Sequence, residues 1–266
     1  MSIDLFGDQR VDVTGRVVEK KVLRNMQVLK DEGVQFGCIT VLSRLNAPYI
    51  EDIYHFFEEI DTSFRLLPIY RTGYPMQQEG LALTNTEIVD SLKKVIVLWL
   101  ASETDIQVLP IQDYITHVVR RLNGRDRWRR YYDKTEAEVV YIVDTDGSLY
   151  SNADAYDFQL CHGNIFEEPL VCMEKSEKYL RAVEAAHNRM RATCGSCHFY
   201  GACSGYFMAE ATPEQREYDQ EGHLLCNVVQ PLQDFIEEIL VCSGLVEGDL
   251  LLRGRMMERA GAPFTA

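Results

Sequence analysis

Long apolar runs are missing from this sequence of 266 residues. The longest, residues 95–101, falls far short of the roughly 20 residues that a membrane-spanning helix needs. The first ten residues include Asp4, Asp8 and Arg10 where a secretory signal would need an apolar core, and no internal repeats are visible. These absences argue against a membrane-spanning, exported, collagen-like or low-complexity chain. They predict a cytoplasmic protein.

Basic residues are also scarce relative to acidic ones. The chain has 27 Lys and Arg against 41 Asp and Glu, which gives a formal net charge of -14. Such a charge repels phosphate backbones at long range, so nucleic acid is not expected as a partner. The remaining composition, 46% hydrophobic and 26% charged, is that of a globular protein with one large domain or two modest ones.

The first part of the chain alternates between extended and helical patterns. Helices are predicted from about residue 17 to 32, from Pro48 to Ile60, and after the capping-box pair Thr84 and Glu87. Strands are predicted at residues 2–5, 34–42, 64–70 and 105–109. Repeated strand and helix units of this length imply an α/β fold with parallel strands and helices packed outside. So few strands leave a bare sheet edge, which predicts that this is the later part of a larger α/β barrel or that a partner supplies further strands.

The rest of the chain has a different pattern. We predict an α/β region over residues 1–111, a helical connector over 112–136, a small cysteine-rich α+β region over 137–242 and a loose tail over 243–266. The cysteine-rich region begins with a hairpin around residues 139–150, and helices at about 174–191 and 224–240 flank its cysteines.

A basic stretch lies between residues 120 and 134. It is either a docking patch for an anion or acidic peptide, or a solvated connector that pairs with acidic side chains of this chain. We favour the second interpretation because surface ion pairs are common and individually weak. The basic residues are Arg120, Arg121, Arg125, Arg127, Arg129, Arg130 and Lys134.

The strongest local signal is a group of cysteines, which we call the cysteine quartet: Cys194, Cys197, Cys203 and Cys226. A C-x2-C turn directs two sulfurs at one ion or cluster, and the other two cysteines would complete four ligands. Without an export signal, closely spaced thiols more often hold a metal than form disulfides. Spacing alone does not separate zinc from an iron–sulfur cluster, because both accept four thiolates. The plain alternative is a set of ordinary buried cysteines.

Aromatic and histidine residues surround this motif. Phe199, Tyr200, Tyr206 and Phe207 are predicted to roof the site and keep it dry. His198 is either a hydrogen-bond donor to a bound sulfur or a simple loop histidine.

The order of the quartet resembles the SPASM domain that follows the barrel of many radical SAM peptide-modifying enzymes. Asp146-Gly147-x-Leu149-Tyr150 and Gly163-Asn164-Ile165 are similar to that family's hairpin and following turn, and segments 2–4, 10–15 and 66–68 to its later barrel strands. The resemblance implies a partial (βα) radical SAM-type barrel followed by a SPASM domain. It also implies one 4Fe-4S cluster on the quartet and a peptide or protein substrate.

The chain also departs from the family's pattern. It contains neither the CxxxCxxC loop of the radical-generating cluster nor the glycine-rich SAM-binding strand, so by itself it is not expected to cleave S-adenosylmethionine. The ligands of a second auxiliary cluster are missing too. Ser151 or Asn152, Glu168 and Phe207 stand where family cysteines would be, and Cys161 and Cys172 do not fit the pattern. His162 is a remote candidate for a replacement ligand.

By the same resemblance, Ser2 and Arg10 match barrel positions that help to hold S-adenosylmethionine. The plain interpretation is a strand-end serine and a surface arginine. The cofactor is expected only if another chain supplies the missing barrel half, and that chain would then be a partner.

Three functions remain open from the sequence. The leading hypothesis is an iron–sulfur-binding portion or subunit of a radical SAM/SPASM peptide- or protein-modifying enzyme, whose auxiliary cluster serves electron transfer or structure. The second is a non-catalytic, peptide-binding module stapled by zinc or an iron–sulfur cluster. The third, a thiol redox protein using Cys194 and Cys197, ranks last because the pair follows a helix instead of preceding one.

Overall fold

The computed structural model describes residues 1–69, 80–124, 129–138, 140–151 and 158–243. The chain divides into two compact units. The first contains Met1–Val119 and the C-terminal residues from Gln230 onward, and the second is Arg120–Val229. Several residues that the sequence analysis names or includes in a predicted element lie outside the described residues: Tyr70, Arg125, Arg127, Val139, Asn152 and the predicted tail after residue 243.

The first unit is built on a parallel sheet with the strand order β1-β2-β3. Its strands are β1 (Cys38–Leu42), β2 (Phe64–Pro68) and β3 (Val108–Leu109). The predicted strand at residues 2–5 appears as one parallel bridge between Ser2 and Ile39 beside β1. Ile3 N donates to Ile39 O at 2.9 Å and Ile39 N to Met1 O at 2.7 Å, so this segment extends the hydrogen bonding of the sheet.

Helices connect these strands, as the alternation in the sequence predicts. Their bounds are α1 (Glu19–Asp31), α2 (Ile50–Glu59), α3 (Asn85–Ala101) and α4 (Ile111–Leu122). The helix predicted to open at Pro48 starts with a 3₁₀ turn, Ala47–Tyr49, that leads directly into α2. Proline is compatible with this first turn because its missing N–H would have no helical partner there.

The core of the first unit forms where α2 and α3 cover the sheet. Phe57 of α2 stacks on Phe64 of β2 with ring centroids 4.2 Å apart, and both side chains are fully buried. Trp99 of α3 is buried and donates its indole N–H to Ile106 O at 3.0 Å. Large rings of this kind bury much apolar area, and the indole N–H keeps a partner inside the core.

Helix α4 covers the first part of the region predicted as a helical connector over residues 112–136. Its inner face buries Ile111, Ile115 and Val118, so it belongs to the core of the first unit. Gln233 of α9 (Val229–Cys242) makes a 2.8 Å hydrogen bond to His117 Nδ1 of α4. Within the described ranges, no helix combines the length and the apolar character needed to cross a bilayer.

The second unit begins with the predicted hairpin. Strands β4 (Tyr141–Val143) and β5 (Ser148–Ser151) are antiparallel, and β6 (Gly163–Asn164) adds to β5. The turn requires Gly147, whose φ is +88°, because a Cβ there would lie 2.5 Å from both Asn164 and Phe166.

Short and long helices complete this unit. They are α5 (Lys134–Ala137), α6 (Leu170–Met173), α7 (Glu177–Cys194) and α8 (Tyr206–Ala209). The helix predicted at about 174–191 therefore runs three residues further and ends on the first cysteine of the quartet. The helix predicted from 224 begins only at Val229, which leaves Cys226 in the preceding loop.

Candidate metal centre

Helix α7 places the first two quartet cysteines. Ser176 caps its start by accepting from Tyr179 N at 3.1 Å, and its last residue is Cys194. Cys197 N donates to Cys194 O at 3.0 Å, which turns the chain immediately after the helix. Gly195 is required at this bend because a Cβ there would lie 2.9 Å from Arg191 O.

A tight loop brings the third cysteine back. Cys203 N donates to Phe199 O at 2.7 Å, and Gly201 N donates to Cys203 O at 3.0 Å. Gly201 has a φ of +96°, a region that residues with a side chain rarely adopt. The turn residues therefore place Cys203 close in space to the C-x2-C pair.

The fourth cysteine is held by the end of α7. Thr193 Oγ1 donates to Leu224 O at 2.9 Å, and Leu224 is buried in the same apolar cluster as Cys194. Cys226 packs against that cluster. Leu224 is thus the link between the loop before α9 and the end of α7.

The electrostatics of Cys194 join the quartet into one site. Burial is the largest cause that raises the pKa of the Cys194 thiol, and repulsion from Cys226, Cys203 and Cys197 adds to it, to a value of about 12. The side chain is only 7% exposed. Without a cation, Cys194 therefore stays protonated, whereas a bound metal ion favours its thiolate form. The donor set fits zinc or an iron–sulfur cluster.

An apolar shell surrounds Cys194. Tyr132, Tyr200 and Cys226 pack against a buried cluster whose members are Ala186, Met190, Cys194, Met208, Ala209 and Leu224. The predicted aromatic roof takes a different form. Phe199 is fully buried, Tyr206 is 43% exposed, and Tyr132, which the sequence analysis did not name, joins Tyr200 beside the cysteines.

Gly205 is a second residue that sequence reasoning missed. It precedes α8 with a φ of +83°, and a Cβ there would lie 3.4 Å from both Cys194 Sγ and Tyr200 Cε2 and 3.2 Å from Met190 Cε. The positive φ at this position, where residues with a side chain are strained, therefore favours glycine. His198, the predicted donor to a bound sulfur, lies against Phe199 with ring centroids 4.2 Å apart.

Lys134 is the clearest difference from the sequence interpretation. The basic stretch was interpreted as solvated, yet the Lys134 side chain is 0% exposed. Its Nζ donates to both carboxylate oxygens of Glu210, at 2.9 and 3.0 Å, and to Glu138 at 3.0 Å. Tyr132 Oη donates to Glu210 at 2.7 Å, and burial followed by this carboxylate raises the pKa of Tyr132 far above its usual value. Glu138 lies only four residues from Lys134, but Glu210 lies 76 residues away, and the sequence gave no signal of that contact.

Ser151 and His162, which the sequence analysis compared with ligands of a second cluster, form hydrogen bonds with each other. Ser151 donates to His162 Nε2 through its backbone N–H at 2.9 Å, and its Oγ lies 2.7 Å from the same nitrogen. Burial, with smaller effects of Lys134 and Lys178, lowers the pKa of His162 to about 4. His162 is therefore a neutral, buried hydrogen-bond acceptor toward Ser151.

The other residues considered for a second cluster each make separate contacts. Cys161 Sγ contacts Gly163 O at 3.3 Å, and Cys172 is exposed. A Cβ on Gly163 would lie 2.5 Å from Glu168 Oε1. Phe207 packs edge-on against Tyr206.

Ser2 and Arg10, the residues matched to S-adenosylmethionine binding, lie together in the first unit. Arg10 Nη1 donates to Ser2 Oγ at 2.9 Å and to Asp4 Oδ2 at 3.2 Å. Asp4 Oδ1 accepts the Val41 N–H at 2.9 Å, which fixes the carboxylate beside β1. The structure thus brings the two predicted residues into one hydrogen-bonded group at the sheet.

Comparison with known proteins identifies the type of fold. The chain is 23% identical over 225 residues to a serine-type anaerobic sulfatase-maturating enzyme of Bacteroides thetaiotaomicron, a match that covers 76% of this chain and 52% of the relative. The chain therefore spans about half the length of the curated relative that it matches. No protein-family model matches the chain.

Solved structures with a similar fold match almost the whole chain. A hexahistidine-tagged anSMEcpe with bound AdoMet matches with a TM-score of 0.60 and 17% identity, over 98% of this chain and 68% of that one. Native anSMEcpe with bound AdoMet and the Cp18Cys peptide matches with a TM-score of 0.57 and 15% identity, over 98% and 69%. The protein thus has an α/β fold like that of the anSMEcpe structures, which includes a parallel three-stranded sheet.

Proposed function

We propose that this chain is the iron–sulfur-binding portion or subunit of a radical SAM enzyme that modifies a peptide or protein. The support is threefold: a curated relative that is a sulfatase-maturating enzyme, a fold shared with structures that hold AdoMet and a peptide, and four cysteines gathered at one site. The hydrogen bonds that turn the chain back to the end of α7, together with the packing of Cys226 against the cluster that contains Cys194, carry the proposal most directly.

In this proposal residues 137–242 form a SPASM-like domain, and the quartet holds one 4Fe-4S cluster. The cluster, when bound, supplies reversible one-electron transfer. The protein's part is to present four sulfurs and to limit the access of water. Around Cys194, the access of water is limited by Met190, Tyr132 and Tyr200. A drier shell tunes the reduction potential of whatever the sulfurs hold.

The cluster's role is electron transfer or structure. Four thiolates occupy all the protein-ligand positions of a 4Fe-4S cluster, so no position is left for direct binding of the substrate. The hydrogen-bonded filling of the second-cluster positions by Ser151 and His162 supports a single cluster in this unit.

S-adenosylmethionine binding is proposed only for a complex that also contains a CxxxCxxC segment, which the 266 residues lack. In such a complex Ser2 and Arg10 would contribute to the cofactor's site. Arg10 is oriented for this by Asp4, which holds its guanidinium at 3.2 Å. A gel-filtration test with such a chain co-expressed would show one stable complex, and two separately eluting species would count against the proposal.

The cluster assignment is tested by changing the quartet to serine one residue at a time after anaerobic reconstitution. Cys197→Ser is expected to lose most of its iron and its visible thiolate-to-iron absorption. Cys172→Ser is the matched control, because Cys172 is an exposed cysteine outside the quartet. Equal iron in all variants would overturn the assignment.

A second candidate function is a zinc-stapled peptide-binding module. The gathering of the four quartet cysteines at one site favours it as well. The quartet joins the end of α7 to the Leu224 loop, and metal ligation at such a site contributes on the order of 10 kcal/mol to folding. The two candidates separate by colour and metal content: a colourless, zinc-loaded protein after anaerobic purification selects the module, and a brown, iron-loaded one selects the enzyme portion.

A further inference from the structure

The four cysteines of the quartet differ in how the chain holds them. Cys194, Cys197 and Cys203 lie close together in the sequence, and hydrogen bonds within that short stretch turn the chain from each one toward the next. Cys226 comes much later in the chain. Its position therefore depends on contacts between distant parts of the sequence, and it is the ligand that the local turns do not fix.

A small hairpin, residues 217–225, leads directly to the fourth cysteine. Tyr218 and Leu224 form an antiparallel bridge, and Leu225 N donates to Glu217 O at 2.9 Å. These bonds are internal to the 217–225 hairpin. They give the hairpin its shape, but they do not fix it relative to α7.

Leu224 joins the hairpin to the rest of the second unit. Every other residue of the 217–225 hairpin is exposed, whereas Leu224 is 8% exposed and belongs to the apolar cluster that contains Cys194. Its carbonyl oxygen accepts the hydroxyl hydrogen of Thr193 at 2.9 Å. Apolar packing is non-directional, whereas a hydrogen bond prefers one geometry. The Thr193 hydroxyl therefore sets the direction in which the chain approaches the quartet.

Thr193 acts on both ends of the site. It lies in the last turn of α7 directly before Cys194, and its acceptor lies two residues before Cys226. A helical threonine can bond the carbonyl four residues earlier in its own helix. Thr116 of α4 does so, because its hydroxyl donates to Gln112 O at 2.7 Å. The Thr193 hydroxyl donates instead to a carbonyl 31 residues away, so its bond is a tertiary contact.

We propose that Thr193 is a positioning residue for the fourth ligand, because its hydroxyl holds Leu224 where Cys226 can join the other three sulfurs. The inference deepens the proposed function and rests on it where the bound group is an iron–sulfur cluster. Without the hydroxyl, the three locally fixed cysteines keep their geometry and only the approach of Cys226 is weakened. Loss of one neutral hydrogen bond of this kind corresponds to about a fivefold change in an equilibrium.

The first test is a double-mutant cycle measured by cobalt(II) titration of the metal-free chain, with thiolate-to-cobalt absorption as the signal. Thr193→Val removes the donor from a side chain of nearly the same shape, and it is expected to weaken cobalt affinity about fivefold. In a Cys226→Ser background the same change should have no effect, because the ligand that it positions is gone. In a Cys197→Ser background the fivefold loss should persist.

Two control variants separate positioning from a general loss of stability. Thr193→Ser keeps the hydroxyl and should bind cobalt like the unchanged chain. Thr116→Val removes a helical hydroxyl of the first unit and should also bind like the unchanged chain. If Thr193→Val weakens cobalt binding equally in the unchanged, Cys226→Ser and Cys197→Ser backgrounds, its effect is general and the proposal is overturned.

The second test uses the iron-loaded chain. The rate at which an anaerobic ferrous-iron chelator removes iron should rise about fivefold in Thr193→Val and should stay unchanged in Thr193→Ser. In the Cys226→Ser background Thr193→Val should add nothing to that rate. A further increase there would contradict an action through Cys226.

Failure of this inference can be told apart from failure of the proposed function. If the cobalt cycle shows no coupling between Thr193 and Cys226 while the unchanged chain holds stoichiometric iron, the positioning role is overturned and the proposed function stands. If the coupling is found but the reconstituted chain holds no iron, Thr193 positions a ligand of another metal and the proposed function fails.

Discussion

Cys194 combines two properties that a free thiol rarely has together, burial and three cysteine neighbours. Both raise its pKa, to about 12, so in the metal-free protein it stays protonated throughout the physiological range. A cation placed among the four sulfurs reverses this preference, because the ion's charge stabilises each thiolate. The residue therefore couples metal binding to proton release, and metal affinity should fall as pH falls.

Loss of the Lys134 side chain should strongly destabilise the second unit. Changing it to Met leaves the buried carboxylates of Glu138 and Glu210 without their cation, which typically destabilises a protein by about 3–5 kcal/mol. Lys175→Met, at an exposed position, should change stability by no more than about 0.5 kcal/mol. Urea unfolding measures both. Adding Glu210→Gln to Lys134→Met should recover part of the loss, and equal stability of the two single variants would contradict this interpretation.

His162 gives a prediction about pH. Its pKa is lowered from 6.5 to about 4 in the folded chain, mainly by burial, so between these values the unfolded state binds more protons. Stability should therefore rise with pH across this window and fall as the pH drops toward 4. In His162→Gln this contribution is absent, so its midpoint of thermal unfolding should depend less on pH between 6.5 and 4. Identical pH profiles would contradict the assignment of a neutral, buried imidazole.

Among the elements, α3 shows how a local sequence signal becomes structure. Thr84 Oγ1 accepts from Glu87 N at 3.2 Å, and Glu87 Oε2 accepts from Thr84 N at 2.7 Å, which completes the predicted capping box. These reciprocal bonds satisfy two backbone donors that the first turn leaves without helical partners. The helix start therefore depends on two side chains close in sequence, and Arg44 adds an ion pair to Glu87 at 3.2 Å.

Thr84→Ala should lower the free energy of unfolding by about 1 kcal/mol, because the cap loses its acceptor oxygen. Thr84→Ser keeps that oxygen and should stay close to the unchanged chain. Thermal and urea unfolding of the three proteins measure the difference. If Thr84→Ser is destabilised as much as Thr84→Ala, the hydroxyl has no capping role.

The elements also show why sequence prediction succeeded where it did. The capping box, the β4–β5 hairpin and the parallel strands follow from short-range patterns, and the structure confirms them. The spacing of the quartet could be seen, but its convergence depends on α7 running on to Cys194 and on Thr193 bonding Leu224. Those contacts link residues far apart in the chain.

Burial of charge was the hardest feature to predict. Lys134 looked like one more member of a solvated basic stretch, because its partner Glu210 lies 76 residues away. Gly205 is similar, because its packing against Met190 and Cys194 involves residues at least ten positions away in the chain. Local propensity carries no information about such packing, whereas helix caps and turns are decided within a few residues.

At the scale of the whole molecule, the chain consists of a parallel α/β unit and a smaller, cysteine-bearing unit. The fold is like that of the anSMEcpe structures, and the chain covers 52% of the sulfatase-maturating relative. In the proposed function each unit has its own role. The first contributes Ser2 and Arg10 to a cofactor's site, and the second holds the cluster.

The central claim is that the four sulfurs of the quartet bind a single iron–sulfur centre. The most direct measurement is iron and sulfide analysis of the anaerobically reconstituted chain, together with Mössbauer spectroscopy of iron-57-loaded protein. The account predicts about four iron and about four sulfide per chain, with one type of cubane spectrum. A protein that holds no stoichiometric iron under these conditions, or that binds only zinc, would contradict it.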